Sequence, residues 1–521
     1  MPTPPRQLNV EEYMVQAYRE MEPRMRAYSD RDVLVAILRL PPYPQRRLWQ
    51  AAAARVAHQV RTEASLCFVS FHASFYHQRK TELVSPVDLP SLRRMGGKAR
   101  MLVMLIDDCY DVYRRLLGEA EMFHDEVMGA DVDAQDAMVH SFCNLFTILA
   151  WRESEAMASR LIADALRIPL IMLAVKHPAS LAQRLITTPQ DSLRLFYVAH
   201  PISQVRRGRH ARPSGLPGQL SAFVERTMTQ YEDIALFIPD TIDEARIGRD
   251  EEGRLIPQLD EPWSLPFRQE DWLFEPLPPG LAHLNPLNPK GFRFSTSRAA
   301  RSQLSAMLSV LSQKVRAQIV ARDHSLVEQA LDGIILFHPY YEGHVPGGVL
   351  REARYNYELI TAFGQRRRKA YMLDYQENLG KYRIQNLWDV FLNTALDQSS
   401  VAPDVQAAVD NLVLQWKRDP ARVRAFVAAD WPLEDVRTAA REMLGDGYRF
   451  DEQFAPTDTS SLRGPNLGEA ADRLQRSWNA IEQAARTSDP FRALCPEPDK
   501  QCVLVPVHDF DHAAVAALAS S

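Results

Sequence analysis

Short apolar runs alternate with stretches of helical periodicity along most of the chain, a pattern that predicts strands joined by helices. The clearest run is Gly333-Ile-Ile-Leu-Phe337, partly β-branched and bounded by a helical pattern that ends near Asp332. A loop with Pro339, Gly343, Pro346, Gly347 and Gly348 leads from it into a second helix, which carries Glu352. Comparable apolar runs fall at 66–71, 101–106, 168–175, 195–199, 234–238 and 370–374, with helical periodicity between them. Residues 1–62 read as helical, chiefly at 10–28 and 46–61. From 386 the pattern is again mostly helical until the closing run Cys502–Val507.

The order of elements predicts an α/β protein: two Rossmann-like parallel-sheet domains followed by a mostly helical C-terminal region. The expected boundaries are a helical segment at 1–62, an α/β domain at 63–190, a second α/β domain at 191–385, and helices over 386–521. A proline-rich insertion at 250–297, with Trp263, Trp272 and Pro276, interrupts the second domain. So long a loop serves either as a lid or partner surface or as an excursion packed by its own aromatics.

At 521 residues the chain exceeds one hydrophobic core. Its 46% hydrophobic and 24% charged residues are ordinary globular values. The net charge of −5 gives no electrostatic reason to expect nucleic acid as a partner. The basic clusters Arg206-Arg207-Gly-Arg209 and Arg366-Arg367-Arg368 read as solvated faces. Five scattered cysteines without CxxC spacing suggest neither a disulfide framework nor a zinc site. No window approaches the ~20 apolar residues of a membrane span, and no signal pattern opens the chain, so a soluble, cytoplasmic protein is expected.

Several groups of residues carry candidate chemistry. Asp107-Asp108-Cys-Tyr-Asp111 has the DDxxD spacing that binds magnesium diphosphate in class I terpene synthases, but no second metal motif follows downstream. The same acids close an apolar strand as in nucleotide kinases, yet the GxxxxGK[ST] loop is missing. Capping of the following helix is the plainer reading. His72, His77, His177, His200 and His338 fall near the carboxyl ends of expected strands. They lack metal-ligand spacing, and each reads singly as a hydrogen-bonding residue.

The most ordered series runs from Leu195 to about Asp374. Tyr197-Val-Ala-His-Pro201 ends a strand, and Asp323 lies on a helix. Asp332 precedes the apolar strand, Gly347-Gly348 close a loop, and Glu352 lies on the helix after it. In this order the segment resembles the nucleoside 2-deoxyribosyltransferase superfamily, which includes nucleotide N-glycosidases. The resemblance covers about a third of the chain and neither flank.

The resemblance implies an N-glycosidase or deoxyribosyltransferase that cleaves the base–sugar bond of a nucleoside or nucleotide, with Glu352 as nucleophile. Asp323 and Tyr197 would assist it. His200, Ser203, Asp332, His338, Tyr340, Gly347, Gly348 and Arg351 are the candidate substrate contacts, and Tyr341 is a further candidate for stacking on the base. No metal or cofactor is expected. The sequence departs from the family after the glutamate, where the long basic Arg354 replaces a small residue; Arg351 and Arg354 would either hold a phosphate or pair with Glu352. A NAD glycohydrolase and a non-catalytic nucleotide sensor are the alternatives. The resemblance also implies a homo-oligomer, and the C-terminal helices offer a surface for a protein partner.

Overall fold

The computed structural model describes residues 5–63, 66–77, 82–96, 99–118, 134–175, 177–189, 192–202, 216–239, 247–249, 255–257, 298–340, 345–365, 367–395, 403–428 and 502–507, with isolated positions between 431 and 486. Its contacts divide the chain into two compact units. One comprises Met1–His177 with Asp240–Arg322, the other Pro178–Pro239 with Asp323–Ser521.

The first unit begins with β1 (Arg6–Asn9), α1 (Val10–Met21), α2 (Asp30–Leu38) and α3 (Pro42–Thr62). Then come β2 (Cys67–Ser70), β3 (Phe75–His77), β4 (Glu82–Val84) and α4 (Leu89–Gly96). It continues with β5 (Leu102–Ile106), α5 (Cys109–Gly118), α6 (Ala134–Leu166) and β6 (Leu170–Ala174). The start of the chain is not wholly helical, because β1 pairs in parallel with β2. That ladder joins residues far apart in sequence, so local periodicity gives no sign of it. Strands β5 and β6 also pair in parallel, and β3 pairs antiparallel with β4. Among the described residues these remain separate two-stranded sheets.

The core of this unit forms where α3 turns Leu48, Trp49, Ala52, Ala53 and Val56 inward, the spacing of one helical face. Gln45, on the same buried face, donates its side-chain amide to Ile37 O and Leu38 O at the end of α2. A buried carboxylate, Glu11, and a partly buried one, Glu155, bind the loop after β2. Glu11 accepts the His72 N–H at 2.7 Å, and Glu155 accepts those of Ala73 and Ser74 at 3.0 Å each. Glu11 also faces His72 Nδ1, which holds the imidazole above its ordinary pKa.

The second unit opens with α7 (Ala179–Thr187), β7 (Arg194–Ala199), α8 (Leu216–Gln230) and β8 (Ile234–Phe237). A short antiparallel pair that belongs to the first unit, β9 (Ile247–Arg249) and β10 (Leu255–Pro257), follows in the chain; β10 is the part of the proline-rich region 250–297 that lies within the described residues. Helix α9 (Arg298–Gln329) belongs to the first unit through Arg322 and to the second from Asp323. The second unit then continues with β11 (Gly333–Phe337), α10 (Gly347–Thr361) and β12 (Lys369–Tyr375). It ends with α11 (Gln376–Ala395), α12 (Pro403–Arg418), α13 (Pro420–Val427) and β13 (Cys502–Val507).

Strands β8, β7, β11, β12 and β13 lie side by side in that order, all parallel. The closing run of the chain is therefore an edge strand of this sheet. Strand β11 is buried throughout, as a central parallel strand covered on both faces must be. Beside the sheet, Trp388, Phe391, Trp416, Phe426 and Trp431 pack edge to face among α11, α12 and α13. Gly380 lets α11 approach α13 closely, since a Cβ there would lie 2.3 Å from Val423 O.

Two predictions follow from these contacts. Gly333 has φ 121°, and an added Cβ would lie 1.8 Å from Lys369 O on the neighbouring strand. Gly333→Ala is expected to lower stability by about 2–4 kcal/mol, measured by denaturant unfolding. In the first unit, an imidazole whose pKa is raised in the folded state stabilises it fully below the free value of about 6.5 and ceases to do so as pH rises through the raised value. Thermal unfolding of the wild type should therefore exceed that of His72→Gln most at low pH, with the difference closing at alkaline pH.

Candidate functional site

The sheet determines where a ligand can enter the second unit. Numbered along the chain its strands read 2-1-3-4-5, the order of doubly wound sheets that open a crevice where two neighbouring strands send their connections to opposite sides. Here those strands are β7 and β11. His200 follows the first and His338 the second. His200 is buried, its Nδ1 3.2 Å from the Val198 carbonyl. His338 adopts φ 49°, a left-handed conformation uncommon outside glycine, and donates its N–H to Leu373 O at 2.7 Å.

Strand register identifies the face on which the candidate acids lie. Phe337 packs on Phe223 of α8 with ring centroids 5.1 Å apart, so α8 covers the face that Phe337 shares with Phe196 and Val198. Right-handed crossovers put the helices before and after β11 on the other face, to which Tyr197, Leu336 and Asp374 point. Helix α10 buries Val349, Glu352, Ala353, Asn356, Leu359 and Ile360, the face it turns inward. Tyr197 is wholly buried and lies two residues short of the end of β7, roughly 7 Å below the rim. Glu352 lies five residues into α10, a depth of about 8 Å.

Asp323 lies on α9, which meets α10 close to that residue. The Tyr355 ring of α10 stacks on His324 at 4.1 Å and its hydroxyl donates to Glu328. Glu352 lies one turn before Tyr355 on α10, and Asp323 one residue before His324 on α9. Both acids are buried, at 5% and 6% exposure, which is rare for carboxylates without a specific role. Arg351 and Arg354 are exposed on the opposite side of α10, and among the described residues neither forms an ion pair with Glu352. The neutralising pair that the sequence left open is therefore not formed.

A second cluster gathers at the end of β12 around Asp374, which the sequence reading missed, and includes the expected candidates His338 and Tyr340. Asp374 is fully buried and accepts the N–H of Tyr340 at 3.0 Å, that of Tyr375 at 2.7 Å and the Asn378 amide at 3.0 Å. Its Oδ1 lies 3.2 Å from His338 Nδ1. Burial raises its pKa, against the opposing pull of His338 and the three donors. Burial likewise raises the Tyr340 phenol above the ordinary tyrosine value, assisted by the charge of Asp374. The available signal was an acid ending a buried parallel strand two places from the crevice.

Other candidates lie elsewhere. Asp332 sits at the amino edge of the sheet, opposite the crevice. It accepts the Leu195 N–H at 2.8 Å and two guanidinium N–H groups of Arg367, so its carboxylate joins strands and does not face a ligand in the crevice. Gly347 and Gly348 begin α10 exposed, beside a helix start without side-chain cap. Ser203 and Tyr341 lie outside the described residues. In the first unit Asp107 is committed to Arg115 at 2.7 Å and to the Asp108 N–H, with Asp108 just ahead of α5. The side chain of Asp111 lies outside the described residues. His177 accepts the Ala174 N–H, and His77 is buried at the end of β3. Among the described residues no cluster of His, Cys, Asp and Glu is placed to hold a metal ion, and no helix is long and apolar enough to cross a membrane.

Asn356 lies one turn beyond Glu352, fully buried, and neither atom of its amide has a hydrogen-bond partner among the described residues. Such a group costs stability unless a ligand satisfies it. Asn356→Leu is expected to raise stability by about 1–2 kcal/mol in denaturant unfolding while weakening whatever binding or turnover the site performs.

No protein-family model, curated protein or solved structure matches the chain at a significant level.

Proposed function

We propose that the second unit is a Rossmann-like domain that cleaves the N-glycosidic bond of a nucleoside or nucleotide, as hydrolase or deoxyribosyltransferase. The observation that carries the reading is the burial of both Glu352 and Asp323 on helices that meet at Tyr355 and His324, over the sheet face to which Tyr197 points. Retaining glycosidic chemistry needs two carboxyl groups with divided roles in a site that excludes bulk water. The nucleotide enters at the crevice between β7 and β11, with His200 and Tyr340 at its walls. Glu352 attacks C1′ and the base departs, leaving a glycosyl ester that water or a second base resolves. Asp323 holds the sugar or assists the departing base, and Tyr197 orients Glu352. The exposed Arg351 lies near the start of α10, where a substrate phosphate would also meet the helix N-terminus.

Chromatography of free base after incubation with nucleosides, nucleotides and NAD tests this directly. Glu352→Gln is expected to abolish release with the fold intact, and Asp323→Asn to lower kcat by roughly 10²–10⁴-fold. Unchanged turnover in Glu352→Gln would remove the nucleophile assignment.

A further inference from the structure

We infer that Asn356 selects a ribosyl substrate by holding its cis-2′,3′-diol, so that ribonucleosides or ribonucleotides are cleaved in preference to deoxy analogues; this rests on the glycosidase reading above. Asn356 is 0% exposed, and neither atom of its amide has a hydrogen-bond partner among the described residues. Buried amides in that state are rare, because each unmet group carries the full cost of leaving water. The side chain therefore presents one donor and one acceptor side by side, both unmet by protein.

The helix fixes where this amide lies. Asn356 follows Glu352 by four residues, so the two side chains share one face of α10, about 6 Å apart along its axis. Ala353, the buried residue between them, extends only a methyl group into the gap. Val349 on one side and Leu359 and Ile360 on the other are apolar, so Glu352 and Asn356 form a polar island in the inward face. That face lies over β7 and β11, the strands that part at the crevice.

The stereochemistry of a β-nucleoside matches this arrangement. The base leaves from one face of the furanose, so a retaining nucleophile approaches from the other. The 2′- and 3′-hydroxyls project from that same face, and a residue one turn from Glu352 on its own helix meets them. A cis-diol supplies what the amide lacks, since one hydroxyl accepts from its N–H and the other donates to its oxygen. A 2′-deoxyribosyl group satisfies one amide atom and leaves the other buried without a partner. Sites built around a substrate hydroxyl reject analogues that lack it for this reason. The 2′-hydroxyl contact also strengthens in the oxocarbenium-like transition state, so it acts on kcat as well as on binding.

Release of free base from matched ribo-, 2′-deoxyribo- and 3′-deoxyribonucleosides and their 5′-monophosphates tests the assignment. Wild-type kcat/KM should favour the ribosyl substrate by about 10²-fold over either deoxy analogue, although the 2′-deoxy bond is chemically the more labile. Asn356→Leu, whose fold is expected to be more stable than that of the wild type, should lower this ratio by about 10²-fold, with the loss falling on the ribosyl substrate. A wild type indifferent to either hydroxyl overturns the inference, and so does a leucine variant that slows all three sugars equally. Both outcomes leave the glycosidase reading standing. Wild-type protein that releases no base from any of these substrates would instead defeat that reading itself, and the two failures are thus told apart.

Discussion

Asp332 takes the backbone N–H of Leu195 and the guanidinium of Arg367 at the amino edge of the sheet, and the pairing of β7 with β11 follows from that anchorage. The two strands are separated in the chain by an excursion of more than a hundred residues, part of which belongs to the first unit. A carboxylate shared between a strand amide and an arginine fixes the register of a junction that local sequence cannot specify. Gly333 completes it by allowing β12 to approach. Arg368, buried and with its pKa pushed down to about 10 by desolvation, donates to Ala330 O and Val327 O and closes α9 just before β11 begins. The amino edge is thus fastened by internal ion pairs and caps. At the carboxyl edge, β7 and β11 part, and the histidines lie there.

This division orders the polar groups of the second unit by cost. At the amino edge the Asp332 carboxylate is satisfied within the protein. The layer between sheet and helices holds Tyr197, Asp323, Glu352 and Asn356 where apolar side chains would pack at lower free energy. Asn356 states the matter most directly: a leucine would fit the burial of its face, and an amide there without protein partners is worth keeping only for something that enters. The exposure of Arg351 and Arg354 bears on the same point. Basic residues flank Glu352 in sequence, yet helical geometry directs them to solvent and leaves the glutamate facing the sheet.

Much of the second sheet was legible because parallel strands buried on both faces are uninterrupted apolar runs. Gly333–Phe337 matches its run residue for residue, and β12 extends the expected 370–374 by one residue at each end. Less was legible in the first unit, where β1 is a four-residue strand whose ladder, among the described residues, is made with β2. The helix carrying Glu352 was readable from its periodicity, and with it the acid's place after the central strand. What periodicity could not give was which residues meet. Asp374 joins His338, Tyr340 and Asn378 through a register that brings β11 and β12 side by side. Asp332 was assigned to ligand binding because it lies in order within the family-like series. A residue that precedes a parallel strand lies at the amino edge, however, and in a doubly wound sheet that edge faces away from the crevice.

The buried pair at the end of β12 also limits how the crevice can respond to a ligand. Asp374 ties the loop after β11, through Tyr340, to the start of α11, through Tyr375 and Asn378. Tyr340 extends the connection by packing on Tyr382 one turn further along that helix. The Asp374 carboxylate thus holds three backbone or amide donors in low dielectric, where loss of any one is felt strongly by the others. The wall of the crevice formed by β11 and β12 is rigid for this reason. Adjustment to a substrate falls instead to the β7 side and to the start of α10, where Gly347 and Gly348 are exposed and the helix lacks a side-chain cap.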